Sequence, residues 1–331
     1  MGSQLKIEIA IPLIPLQKEE VHLLEYTNNA ISELLGLSGK LEVTLESVQK
    51  CKISISILED YKSLASRLKT TSTALLFEIC VPDNSSSISI EIKEHDLITS
   101  SDKKVIYGSM VADQFRHSIY RFLILTQIAK PGTLKLREGD ILVDNKLDHF
   151  FYPFNSLHRL TLDQNKKFKW PSYVEIKFID AWNWYLQNSF SIQGQGKSKA
   201  ERAINAFTYL FKDYLGNTES DLFWSLIGIE ALYCMGTEGL SEQIYIKSQI
   251  VLGEITDYKK RLKQMYDFRS RLVHGDLDIP PKHFDSEDVE YNNFHQKLID
   301  SAILAVAILT ATLQRMIIDN KKELEFKYTL Q

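Results

Sequence analysis

Residues 258–276 read YKKRLKQMYDFRSRLVHGD, and this stretch decides the fold class of the last third of the chain. Apolar residues recur in it at the spacing of one helical face: Leu262, Met265, Tyr266, Leu272 and Val273. Gly275, which follows His274, is a typical C-terminal cap because glycine adopts left-handed geometry without steric cost. The stretch therefore predicts an amphipathic helix over 255–273 that ends beside His274.

Arg269 falls in the middle of this predicted apolar stripe, where a cation is costly unless it is paired or reaches water. The apolar segment LFWSLIGIEALY at 222–233 offers a partner, because Glu230 is its only charged side chain. We therefore expect a buried Glu230 that pairs with Arg269 or Arg271. The alternative is that Glu230 faces solvent on a partly exposed helix.

The same helical periodicity continues on both sides of this stretch. It predicts further helices over 199–215, 219–235, 241–252 and 286–319. The most apolar part, SAILAVAILTATL at 301–313, is shorter than the roughly 18 residues that a membrane span requires. It predicts a buried helix, and no membrane is expected among the partners.

Towards the N-terminus, helical spacing gives way to alternation of apolar and polar residues. Helices are predicted over 18–35 and 108–129, and strands near 5–11, 41–45, 53–57, 74–81, 88–92, 133–143 and 173–179. The polar, glycine-bearing run that begins at 191 is typical of a linker. We therefore expect an α+β domain over 1–190, a linker over 191–198 and an all-α helical domain over 199–331.

Composition narrows the classes of function. A chain of 331 residues with 25% charged residues is globular, and its net charge of -4 means that a polyanion must bind to a local basic surface. No histidine lies in H-x-x-x-H or HExxH spacing, so neither a metal nor another cofactor is expected. A reduced, cytoplasmic location fits the three widely spaced cysteines, Cys51, Cys80 and Cys234.

A local basic surface is predicted at the start of the 258–276 stretch. Its candidate RNA-binding residues are Lys259, Lys260, Arg261 and Lys263, and Arg269 and Arg271 bring the cluster to six cations against one acid, Asp267. Attraction of phosphate is the functional interpretation. The alternative is a solvated helix face whose cations gather toward the C-terminus and offset the helix dipole.

The strings YDFRSRLVHG at 266–275 and LFWSLIGIEALY at 222–233 resemble the Apea-like branch of the HEPN superfamily. In that branch an R-x-x-x-x-H motif closes the third main helix, and a glutamate lies in an apolar helix upstream. The resemblance covers about residues 199–319, where Arg269 and His274 match the catalytic pair and Ser270 matches a variable polar position. It implies a homodimeric helical bundle whose two motifs face each other. The implied activity is metal-independent endoribonuclease cleavage in toxin, abortive-infection or antiviral systems.

These residue types suit the implied chemistry, because RNA cleavage by its own 2′-OH needs proton transfers and cations for the phosphorane. His274 suits the proton transfers and Arg269 the phosphate clamp, while Ser270 can donate a hydrogen bond and Arg271 can add charge. On an unbroken helix Arg269 and His274 point about 140° apart, so a shared site needs the helix to end there or a second copy.

A different class of function is open. Arg269 and His274 can be purely structural, with the histidine favourable to the helix dipole and the arginine salt-bridged. The chain would then be a non-catalytic HEPN module that dimerises and binds RNA or a partner protein. In either case we expect the N-terminal domain to supply recognition or regulation, with RNA and an unidentified regulatory partner as candidate ligands.

Overall fold

The computed structural model describes residues 4–45, 48–62, 72–87, 99–150, 157–190, 194–211, 218–256, 258–276 and 289–326. The chain forms two compact units. The sheet unit comprises Met1–Leu125 and Thr133–Phe154, and the helical unit comprises Thr126–Gly132 and Asn155–Gln331. The predicted order, an α+β region followed by a mostly helical region, is confirmed.

The sheet unit is built on one antiparallel sheet of five strands, in the order β4-β5-β1-β6-β7. A separate hairpin pairs β2 with β3. The strands are β1 (Gln4–Pro12), β2 (Glu42–Leu45), β3 (Val48–Lys52), β4 (Ser54–Tyr61), β5 (Ser72–Pro82), β6 (Asp140–Val143) and β7 (Lys146–Phe150). Its helices are α1 (Leu24–Gly36) and α2 (Ser100–Ala129), and the last four residues of α2 belong to the helical unit.

One face of this sheet is apolar because alternate residues of paired strands point the same way. The register sets Ile7 opposite Ile79 and Ile9 opposite Phe77, and all four side chains are buried. α2 packs on this face, with the Phe122 ring 6.5 Å from the Phe77 ring. The core of the sheet unit therefore lies between the sheet and α2.

The helical unit contains seven helices among its described residues. They are α3 (His158–Lys167), α4 (Phe178–Gln187), α5 (Lys199–Thr208), α6 (Thr218–Tyr233), α7 (Leu240–Leu252), α8 (Tyr258–His274) and α9 (Val289–Ile318). α9 is the central helix, and its residues 301–314 are all buried, as predicted for 301–313. α6 crosses it closely at Gly228, where a Cβ atom would lie 2.8 Å from Leu309 Cδ2.

α9 is also the helix whose length and apolar character could suit a membrane span. Among the described residues, one helix is long and apolar enough to cross a bilayer, Asn292–Ile318, and 89% of its most apolar window is buried within the protein. Burial of that extent leaves little of the helix surface for lipid and is typical of a core helix.

Two of the predicted strands are not among the strands described above. The strand predicted at 88–92 lies outside the described residues. The strand predicted at 173–179 is wrong, because residues 173–177 have no regular structure and α4 begins at Phe178. The Val174 amide donates instead to Gln314 Oε1 at 2.9 Å, and the Ile176 amide to the carbonyl oxygen of Ala129 at 3.4 Å. A side chain of α9 and the last carbonyl of α2 thus replace the hydrogen bonds of a β-ladder.

Residues 157–190 belong to the helical unit, ahead of the linker predicted at 191–198. The indole of Trp184 donates to the carbonyl oxygen of Lys321 at 3.0 Å, and that of Trp170 to the carbonyl oxygen of Gly253 at 3.0 Å. These bonds tie the segment to the ends of α9 and α7. The domain boundary at 191–198 stays a prediction.

Candidate functional site

The predicted motif lies on α8, which ends at His274. Gly275 follows with a φ of +75°, and the amide of Asp276 donates to the carbonyl oxygen of Arg271 at 2.9 Å. A left-handed glycine together with this backbone bond is a Schellman cap. The predicted cap is confirmed, and it holds the exposed His274 in the last turn of the helix.

Arg269 points into the buried stripe of α8, as predicted, but its side chain is only partly buried. The buried residues of α8 are Tyr258, Leu262, Met265 and Phe268, whereas Val273 is half exposed. The stripe is rotated from the predicted one because the Phe268 ring packs against Phe294 of α9, with ring centroids 5.3 Å apart. Around the helix axis Arg269 points between Tyr258 and Leu262, and 30% of its side chain is exposed.

Glu230 is the partner of Arg269. Arg269 Nη2 lies 3.5 Å from Glu230 Oε2, and the Tyr266 hydroxyl donates to Glu230 Oε1 at 3.2 Å. One carboxylate thus joins α6 to two residues of α8 that are three positions apart, the spacing of neighbours on one helical face. Of the two arginines considered as its partner, the structure pairs Arg269 with Glu230.

Tyr266 belongs to the predicted apolar stripe, but its hydroxyl also bonds to Glu230, which the apolar pattern does not predict. Burial, followed by the nearby Glu230 carboxylate, raises the pKa of Tyr266 well above its usual value, so the hydroxyl remains a donor at neutral pH. The same two causes raise the pKa of Cys234 to about 11. A signal was present in the sequence, because Tyr266 lies one turn before Arg269 and its hydroxyl needs a partner when buried.

Arg271 is exposed and closes the end of α8. Its Nη2 donates to the carbonyl oxygen of Asp276 at 3.2 Å, and its guanidinium lies 5.9 Å from the centroid of the Phe294 ring. Ser270 is exposed on the same helix. Because α8 is unbroken through His274, Arg269 and His274 point about 140° apart around its axis. Within one chain, therefore, the two residues face different directions.

The basic cluster occupies the start of α8. Lys259, Lys260 and Lys263 are exposed, and Arg261 lies over the Phe168 ring at 5.1 Å from its centroid. Lys259, Lys260 and Arg261 fall in the first turn, where no acidic residue is present and where the helix dipole disfavours cations. Compensation of the dipole at a C-terminus therefore does not account for these three cations.

An exposed stripe connects this cluster with the motif. Lys259, Lys263, Ser270 and His274 recur at intervals of four, seven and four residues, so they lie along one side of α8, and all four are exposed. Asp267 is also exposed and lies beside this stripe. A phosphate chain that follows α8 would therefore meet Lys259 and Lys263 first, pass Asp267, and reach the His274 imidazole at the end.

Among the described residues, no group of three or more His, Cys, Asp or Glu side chains is arranged to hold a metal ion. Comparison of the chain with protein-family models, with curated proteins and with solved structures gives no match. The interpretation of the site therefore depends on its own residues and geometry.

Proposed function

We propose that this chain is a metal-independent endoribonuclease of the HEPN type, active as a homodimer in the cytoplasm in a defence, abortive-infection or toxin context. One observation carries the proposal: α8 presents a guanidinium positioned by Glu230 and, at its capped end, an exposed imidazole. The sheet unit supplies recognition or regulation in this proposal, with a regulatory partner of unknown identity.

The proposed reaction uses the 2′-hydroxyl of the RNA as nucleophile. His274 takes the 2′ proton as the 2′ oxygen attacks phosphorus, and the bond from phosphorus to the 5′ oxygen breaks. The departing 5′ oxygen receives a proton from a second imidazole, His274 of the partner subunit. Arg269 and the Ser270 hydroxyl stabilise the extra negative charge of the phosphorane. The products are a 2′,3′-cyclic phosphate and a 5′-hydroxyl.

A second copy is required because Arg269 and His274 diverge on one helix. Val273 lies between them around the α8 axis, and this apolar side chain is 50% exposed. An isologous contact through this part of α8 would cover Val273 and bring the arginine of one copy near the histidine of the other.

The test is cleavage of a mixed RNA pool in EDTA by the full chain and its variants. His274→Ala should slow cleavage about a hundred-fold or more and leave the melting temperature unchanged, because the residue is an exposed proton-transfer group. Arg269→Ala should slow cleavage and also lower the melting temperature. The matched control is His22→Ala, which removes an exposed histidine of the sheet unit and should cleave as wild type.

A second candidate, a non-catalytic HEPN module that dimerises and binds RNA or a partner protein, is favoured by one observation. The Arg269 guanidinium already has a carboxylate partner in Glu230, as a structural arginine would. If His274→Ala cleaves RNA as fast as wild type while Arg269→Ala only lowers the melting temperature, the nuclease proposal is wrong and the module remains.

A further inference from the structure

The C-terminal end of α3 brings a second set of cations to the start of α8. Residues 165–170 read NKKFKW, in which Lys166, Lys167 and Lys169 are exposed. Phe168 lies under the Arg261 guanidinium, and the Trp170 ring lies 4.6 Å from the Tyr258 ring, centroid to centroid. This segment therefore runs beside the first turn of α8, about ninety positions away in the sequence.

The balance of charge on this surface is positive. Lys167 is neutralised by Asp300, with 2.6 Å between Nζ and Oδ1. Within the described part of the chain, Lys166 and Lys169 form no ion pair with a carboxylate. Together with Lys259, Lys260 and Arg261 they make five cations on a chain whose net charge is -4. We call these five residues, with Phe168, the α3–α8 basic surface.

Aromatic rings lie among these cations. The Phe168 ring is half buried beneath Arg261, and the ring of the half-buried Tyr245 lies 5.5 Å from Lys259 Nζ. Lys259 and Arg261 each cover a face of these rings, so the planar group offered to a base is the Arg261 guanidinium that Phe168 supports. Cations that follow a backbone, together with a planar group on which a base stacks, are features of surfaces that bind single-stranded nucleic acid. A regular duplex keeps its bases stacked inside and would use the lysines alone.

We infer that the α3–α8 basic surface is a binding track for single-stranded RNA that leads the strand along α8 to His274. The inference rests on the proposed function and adds Lys166, Lys169 and Phe168 to it. From the first turn of α8 to His274 the helix rises by about 24 Å, at 1.5 Å per residue. The exposed stripe of Lys259, Lys263, Ser270 and His274 covers that distance.

The experiment measures binding of a labelled single-stranded oligoribonucleotide by fluorescence anisotropy, with His274→Ala as the background in every sample so that RNA is not cut. Adding Lys166→Ala and Lys169→Ala should raise the Kd about ten-fold. The double substitution should also make binding less dependent on salt. The negative slope of the log of the association constant against log salt should become shallower by about 1.4, which is 0.7 for each lost phosphate contact on a single strand. Both lysines are exposed, so the melting temperature should not change.

Two further variants make the test specific. Phe168→Leu should weaken binding at least about five-fold without a change in the salt slope, because it removes the ring that supports the Arg261 guanidinium and removes no charge. Lys50→Ala with Lys52→Ala, two exposed lysines of β3 in the sheet unit, is the matched control and should bind as the background does.

The outcomes separate this inference from the proposed function. One outcome is that wild type cleaves RNA but the variant with both Lys166→Ala and Lys169→Ala binds RNA like the control. The inferred binding track is then wrong, and the nuclease proposal stands. If these variants weaken binding but RNA is never cut, the track stands and the nuclease proposal fails. Binding of duplex RNA or of phosphatidylserine vesicles more tightly than of the single strand would overturn the inference.

Discussion

At the scale of single residues, the contact between Glu230 and Arg269 is the most informative feature of the helical unit. Their side chains are 18% and 30% exposed, and the atoms lie 3.5 Å apart. A pair so placed is screened by water and contributes about 0.5–1 kcal/mol by itself. The hydroxyl of Tyr266 adds a second bond to the same carboxylate. Glu230 therefore positions Arg269 as well as stabilising the bundle.

Replacement of this carboxylate should lower the stability of the protein. Glu230→Ala leaves the Tyr266 hydroxyl and the Arg269 guanidinium without their acceptor and should lower the free energy of unfolding by about 1–3 kcal/mol. Glu230→Gln keeps an acceptor for Tyr266 and should cost less. Urea denaturation measures both changes. Glu242→Ala, which removes an exposed carboxylate of α7, is the control and should change stability by less than about 0.5 kcal/mol.

The sequence predicts part of this site for a clear physical reason. Glu230 stands out because it is the only charge in an apolar helix, and such a residue needs a cation. The depth of Arg269 is not predictable in the same way. A periodic pattern gives the approximate direction of the buried face, but its exact rotation depends on the distant Phe294, which covers Phe268 rather than Val273.

At the scale of elements, the end of α8 depends on Gly275. Its φ of +75° is costly for any residue with a Cβ atom, although no atom lies within 4 Å of where that Cβ would be. Gly275→Ala should therefore lower the free energy of unfolding by about 1 kcal/mol through backbone strain alone. It should also reduce cleavage, because His274 precedes the strained residue.

The matched control for this change is Gly36→Ala in the last turn of α1. A Cβ atom there also meets nothing within 4 Å, but the residue has no positive φ. Alanine should leave stability unchanged or raise it by up to about 1 kcal/mol. Differential scanning calorimetry compares the two variants, and equal effects of Gly275→Ala and Gly36→Ala would contradict the role assigned to the cap.

Elements differ in how well a sequence predicts them. α6 and α9 were predicted within a few residues because their long apolar patterns leave no other periodicity. The residues at 173–177 alternate like a strand, yet their amides bond to Gln314 and Ala129. The pattern failed because the alternation is too short to distinguish a ladder from an extended segment whose amides bond to acceptors elsewhere in the chain.

At the scale of the whole molecule, the full chain should form a dimer. Light scattering at micromolar concentration should give twice the mass of one chain, because the proposed site needs Arg269 and His274 from different copies. Val273→Asp should give a monomer that does not cleave RNA, since it sets a charge at the centre of the proposed contact.

The control for this substitution is Val105→Asp, which places the same charge on a valine of α2 that is 65% exposed. This variant should remain dimeric and cleave RNA. A wild-type chain that scatters as a monomer, or a Val273→Asp variant that still dimerises, would contradict the proposed arrangement.

The helical unit draws on two separate parts of the chain, which affects how it could be exchanged between proteins. Thr126–Gly132 belongs to it, although the chain on both sides belongs to the sheet unit. Gln314 Nε2 donates to the carbonyl oxygen of Ile128 at 2.9 Å and so uses this short segment. A recombination event that joined a new N-terminal region at residue 155 would remove that acceptor from a buried amide. Exchange of the N-terminal region alone should therefore destabilise the helical unit, unless the new region supplies a substitute for these seven residues.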